Sequence, residues 1–139
     1  MDYCLANEIV PWEAEEIPNE DTLFMRIHRV WFPDGVLNLA AFSNAKSNNR
    51  MSTDWNKYST ARDTRRRSQR HPPEDYAVVR MGVGEVRRIP DQVVVHSPEP
   101  NNRAHTDIFG NKKLPEVRVR FGRLVERAGF AYHVDDPDV

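Results

Sequence analysis

The sequence predicts an α+β domain: a small, mostly antiparallel sheet of four to six strands, a packed C-terminal helix and one arginine-rich surface helix. Three observations carry this. Several short segments alternate apolar and polar residues or are rich in valine, as strands are. One stretch near the C-terminus places Val117, Phe121, Leu124, Val125 and Ala128 at helical spacing. A third stretch, rich in arginine, opens on a capping signal at Thr60 and stops at His71-Pro72-Pro73.

Residues 1–20 mix acids with Pro11 and Pro18 and show no periodicity, so they are expected to form an extended acidic arm. Ile9, Val10 and Trp12 are its apolar exceptions, and they suggest that the arm docks on something. Residues 21–134 are expected to form the single α+β domain, and residues 135–139 an acidic tail.

Within the domain, Leu23, Met25 and Ile27 alternate with Arg26 and His28, and Pro33-Asp34-Gly35 supplies turn chemistry before the apolar run 36–42. The expectation is a hairpin of two strands. Residues 43–50, with three Asn and two Ser, are expected to be a loop, and 51–58 is ambiguous. Thr60 caps a helix over 61–70 with Asp63 at its third position. This helix is polar on nearly every side and so belongs on the surface or against a partner. Strands are expected at 76–81, 92–96 and 104–109, with a turn or short helix over 82–89. Pro115 and Glu116 start the last helix, and Gly129 stands where a left-handed cap is expected.

A chain of 139 residues fits one compact domain, and at 39% hydrophobic residues its core is modest. No stretch approaches the roughly 18 apolar residues of a membrane helix, so no membrane association is expected. The start has neither a basic region nor an apolar signal core, and the single Cys4 can form neither an internal disulfide nor a cysteine-based zinc site. A cytoplasmic location is expected.

The net charge of −1 conceals segregation. Residues 1–25 carry seven acids and no base, residues 26–127 carry all 20 bases against 11 acids, and residues 128–139 add three acids. A basic middle can attract phosphate backbones or an acidic partner, and acidic ends can fold back to screen it. Arg62, Arg66 and Arg70 fall on one helical stripe, with Arg65 alongside. That stripe can track phosphates, face a protein partner or simply be solvated, and the sequence leaves all three open. A protein partner is expected through this stripe and Trp12, with nucleic acid possible through the 62–70 segment.

The most chemical stretch runs from His96 to Asp107. His105 and Asp107, with Asn102 nearby, could serve as acid, base and orienting group. The plainer alternative is that Asn102 caps a turn and His105 bonds across the sheet. His105 and Asp107 could also ligate a metal, but their spacing matches no zinc pattern, and no HExxH helix, P-loop, Gly-x-Ser-x-Gly elbow or cysteine nucleophile context occurs. No metal and no cofactor is therefore expected. Gly82-Val83-Gly84-Glu85-Val86-Arg87 superficially evokes a nucleotide loop, but Arg87 stands in the third glycine position. A turn needing glycine for its backbone geometry is the better account.

Asp21-x-Leu23 with Arg26-Ile27, Ala41-Phe42, Met51-Ser52-x-Asp54, Gly84-x-Val86-Arg87 and Asn102-x-Ala104-His105 closing at Gly110 together resemble a family of short uncharacterised bacterial proteins. The resemblance spans about residues 20–113 and implies a shared fold and a polar site, with no established activity. If its motifs converge, Arg26, Arg87 and Ser52 would join Asp54, Asn102 and His105 in one cluster. Two arginines with Ser, Asn and His describe an anion site better than a metal site. The function expected is a small accessory module that works through protein contacts. The alternative is an enzyme acting on nucleic acid or a nucleotide through His105 and the arginines.

Overall fold

The computed structural model describes residues 9–43 and 49–139. Its centre is one six-stranded sheet built from β1 (Thr22–His28), β2 (Met51–Trp55), β3 (Tyr76–Gly82), β4 (Val93–His96), β5 (His105–Phe109) and β6 (Phe130–Tyr132). The strand order is β4-β5-β2-β1-β3-β6, and every neighbouring pair is antiparallel. Three helices accompany it: α1 (Ala61–Arg66), α2 (Val83–Arg87) and α3 (Pro115–Ala128). The architecture is the expected α+β domain with its C-terminal helix.

The alternation in β1 decides which face is dry. Leu23, Met25 and Ile27 are buried, and they join Phe121, Leu124, Val117 and Val125 of α3 in one core. Each such large apolar side chain contributes about 1.5–3 kcal/mol on burial. The other face carries Phe24, Arg26 and His28, and there α1 packs, with Arg26 Nη1 donating to the Thr64 carbonyl at 2.8 Å. The β1–β2 ladder holds only two residue pairs, Leu23 with Trp55 and Phe24 with Asp54, after which the strands part.

Residues 36–42 are not the second strand of a hairpin. The chain instead winds through 3-10 turns at Arg29–Trp31, Pro33–Gly35 and Leu39–Ser43. Both edges of β1 are taken, by β2 and β3, so the run finds no free edge there to pair with, and within it only Ala41 and Phe42 are buried. The run packs on α3: Phe42 stacks on Phe121 with ring centroids 5.5 Å apart, and Leu39 lies 2.7 Å from where a Cβ on Gly122 would sit. Most of the expected 43–50 loop, residues 44–48, lies outside the described residues.

The capping box at α1 forms as expected, with Thr60 Oγ1 accepting from the Asp63 N–H at 3.0 Å and Asp63 accepting from the Thr60 N–H. The helix ends at Arg66, however, so Arg70 lies beyond it. Nor is it polar to solvent on every side. Arg65 is fully buried, donating to the carbonyls of Tyr76, His133 and Pro137 and lying 4.5 Å from the Tyr132 ring centroid. The expected left-handed cap at Gly129 has φ 83° but an extended ψ of 175°, because the chain runs straight into β6, a strand the sequence did not signal.

The described part of the acidic arm, residues 9–20, forms no strand and docks on the domain. Ile17 is buried in the core. The Glu15 N–H donates to His96 Nδ1 at 3.0 Å, and its carboxylate accepts from Tyr58 and from Lys57, at 2.7 Å for the latter. The lysine and tyrosine donors together hold the Glu15 carboxyl below its ordinary range. Residues 1–8 lie outside the described residues. The acidic tail folds back as well, with Asp138 on Arg62 and Arg66 and Asp135 on Arg29. Among the described residues, no helix is long and apolar enough to cross a membrane.

Candidate functional site

Strand register places the polar residues of β2 and β5 together. Ser52 stands opposite Asp107 and Asp54 opposite His105, and Asp54 also stands opposite Phe24, so all four polar residues share the face on which Arg26 lies. Where β1 and β2 part, this face opens into a cavity of 530 Å³ lined by Arg26, Arg50, Arg67 and Arg70, by Ser52, Asp54, Asn102, His105 and Glu99, and by Phe24, Trp31 and Tyr76. A larger groove of 930 Å³ lies between α3 and the 3-10 turns, but it is mainly apolar and gathers no comparable polar set.

Asp54 is the hub of the floor. It is 4% exposed, and its carboxylate accepts from Asn102 Nδ2 at 2.9 Å, from Thr64 Oγ1 at 2.8 Å and from the Arg67 guanidinium. Arg67 donates onward to Ser59 Oγ at 3.2 Å. The buried charge is thus paired and its lone pairs are met, which is what lets it stay buried. Asn102 also caps the turn before β5, its Oδ1 accepting from the Ala104 N–H at 3.1 Å.

His105 forms one wall. Its Nδ1 donates to the Ser97 carbonyl at 2.9 Å, since a carbonyl only accepts, so Nε2 of the neutral ring presents a lone pair to Ser52 Oγ at 3.3 Å. Asp107 Oδ2 accepts from Ser97 Oγ at 2.7 Å, while its buried Oδ1 has no hydrogen-bond partner among the described residues and lies 3.6 Å from His105 Nε2 and 3.8 Å from Arg50 Nε. Both sequence expectations for Asn102 and His105, capping a turn and bonding across the sheet, describe the contacts found. The same contacts leave Ser52 and His105 facing the cavity.

Arg26 differs from Arg67. It forms no ion pair among the described residues; its one side-chain hydrogen bond there goes to a backbone carbonyl. Burial pushes its guanidinium below the ordinary arginine range, with the Asp54 charge opposing. With Arg50, Arg67 and Arg70 against Asp54 and Glu99, the lining carries more positive than negative charge.

Arg26, Ser52, Asn102 and His105 therefore converge, with Asp107 directly behind, but Arg87 does not join them. It lies on α2, away from the cavity, and donates to the Ile17 carbonyl at 2.8 Å and Asn19 Oδ1 at 2.6 Å, clamping the arm. Of the two glycines before it, Gly84 serves the same contact. Neither Gly82 nor Gly84 has a positive φ, and a Cβ on Gly84 would meet Asn19 at 3.1 Å. Close approach of the arm, not unusual backbone geometry, explains Gly84. Arg62 and Arg66 share a face as expected but are met by Asp138, whereas Arg70 turns to the cavity. Trp12 lies 5.9 Å from the Arg103 guanidinium, itself 4.1 Å over the Tyr58 ring, so it docks on its own domain.

Arg50 had no signal as a site residue in the sequence, and Ser97 and Glu99 lay within the His96–Asp107 stretch without a role of their own. Arg67 was visible only as one member of a basic run, and its pairing with Asp54, 13 residues away, follows from the fold alone. Compared with family models, curated proteins and solved structures, the chain has no match in any of the three.

Proposed function

We propose that this chain is a small cytoplasmic accessory module that works through protein contacts and holds a phosphate-bearing anion in the cavity between β1 and β2. The observation that carries the reading is Arg26: a partly buried guanidinium facing a 530 Å³ cavity with no carboxylate partner among the described residues. A planar donor fork matches phosphate oxygens, and Arg50 and Arg70 extend the same field. Phe24, Trp31 and Tyr76 offer faces on which a base or other flat group can stack. Asp54 serves the floor, because its charge is already neutralised by Arg67.

Titration of the full chain with inorganic phosphate and with a nucleoside monophosphate, followed by amide chemical shifts, tests this. Shifts should cluster at residues 24–28, 50–54 and 102–105, and Arg26→Gln should weaken binding about tenfold, as loss of a charge-assisted contact does. Equal affinity in the variant would refute the reading. The Ser52–His105 pair supports a second reading, an enzyme acting on a nucleotide or nucleic acid, with His105 Nε2 as general base toward Ser52 Oγ. Turnover in the same samples, lost in His105→Gln while phosphate binding persists, would select it.

A further inference from the structure

At the other end of β1, away from His105, three side chains meet: His28 at the strand end, which also lines the edge of the cavity, and His71 and Asp75, which do not line it, the latter in the 3-10 turn Pro73–Asp75. We propose that they form a site for a divalent transition cation such as Zn²⁺. One ligand atom from each lies within 4.8 Å of the others; His71 Nδ1 is 4.0 Å from Asp75 Oδ2, and the two imidazole centroids are 4.5 Å apart. Bond lengths of about 2.0–2.2 Å place tetrahedral ligands about 3.3 Å apart, so the groups need to close by roughly 1 Å. His71, with its side chain 47% exposed, can supply most of that movement.

Two further observations point to a cation. The first is His28 Nε2, which is buried and has no hydrogen-bond partner among the described residues. Its Nδ1 accepts from the Val30 N–H at 3.1 Å, so the neutral ring carries its proton on Nε2, where nothing accepts it. A cation at Nε2 sends that proton to Nδ1, gives up the Val30 bond and puts a coordinate bond where a costly unmet donor stood. The second is charge. Arg29 Nε holds Asp75 Oδ1 at 3.0 Å, which fixes the carboxylate with Oδ2 toward His71. Arg29 is shared with Asp135 at 2.6 Å, so it does not by itself neutralise the Asp75 carboxylate. Two imidazoles and one carboxylate suit Zn²⁺ and its first-row neighbours and suit Mg²⁺ or Ca²⁺ poorly. Three protein ligands leave a position open to water. His28 is far from His71 in the chain, which is why no local spacing announces the site.

The test is calorimetric titration of the metal-free full chain with ZnCl₂, with Co²⁺ absorption as a second readout. One equivalent should bind, and the intense visible bands of low-coordinate Co²⁺ should appear. His71→Ala and Asp75→Asn should each weaken Zn²⁺ at least tenfold, at or above the lower end of what loss of an outer partner costs a metal site, about 10–100-fold. His28→Asn keeps an acceptor for the Val30 N–H and removes only Nε2, and it should do the same. His133→Asn, at an exposed histidine elsewhere, should bind as the parent does. Matching melting temperatures without metal show that the variants are folded. Absence of a bound equivalent, or equal Zn²⁺ affinity in the parent and His71→Ala, would overturn the proposal.

Discussion

Lys112 is 1% exposed, and its ammonium donates to the carbonyls of Ile108 and Gly110 at 2.8 Å and of Asn49 at 2.6 Å. Burial pushes it down to about 8 from the ordinary 10.5, with the Asp91 and Asp107 charges opposing. The unfolded chain then binds more protons than the folded one between pH 8 and 10.5, so stability rises with pH across that window. The rise is at most about 3 kcal/mol. Urea midpoints at the two ends of the window should show it, and Lys112→Met should remove it. That variant also strands three carbonyls and should lose about 2–4 kcal/mol at neutral pH. Arg65 follows the same pattern, a buried cation met by carbonyls and a ring. Neither was legible in the sequence, because their acceptors are backbone atoms, and backbone atoms leave no residue-type signal. His105 and Asn102 were legible, because they bond within a short stretch where capping and pairing rules apply.

The six residues of α1 are too few to stand alone, and the capping box compensates in part. Thr60→Ala should cost about 1 kcal/mol in thermal or urea unfolding. Its effect should also reach the cavity, because α1 presents Thr64 to Asp54 and its carbonyl to Arg26. Amide shifts at residues 26 and 54 that stay unchanged in Thr60→Ala would refute that coupling. The helix start was legible because a capping box is local. The end of α3 was legible only in part: Gly129 was placed correctly, but the strand pairing that sets its ψ was not visible. The run 36–42 misled because a largely apolar stretch without a period fits a strand and a loop that passes into a 3-10 turn equally well. What separates them is occupancy of the β1 edges by strands that come later in the chain.

For the molecule as a whole, the charge segregation read from the sequence becomes a set of internal contacts, with acidic ends folded onto a basic middle. Arg87 holds the arm at Ile17 and Asn19, while Glu15 is held by Lys57 and Tyr58. Arg87→Ala should therefore speed proteolysis within residues 9–20 several-fold under native conditions and leave phosphate affinity at the cavity unchanged. Equal cleavage of parent and variant would show that the clamp does not hold the arm. The sheet itself has a seam. Strands β4, β5 and β2 form one blade and β1, β3 and β6 another, joined by a ladder of two residue pairs and, at its end, by hydrogen bonds of Asn56 to Thr22 and of Trp55 to Asp21. The cavity lies across that seam, with Arg26 on one blade and Ser52 and His105 on the other. The proposed anion, if it bridges them, would work as a keystone: at a hundredfold excess over its dissociation constant it would add about 2.7 kcal/mol to the folded state. Occupancy of the cavity would then be read as cohesion between the two halves of the molecule.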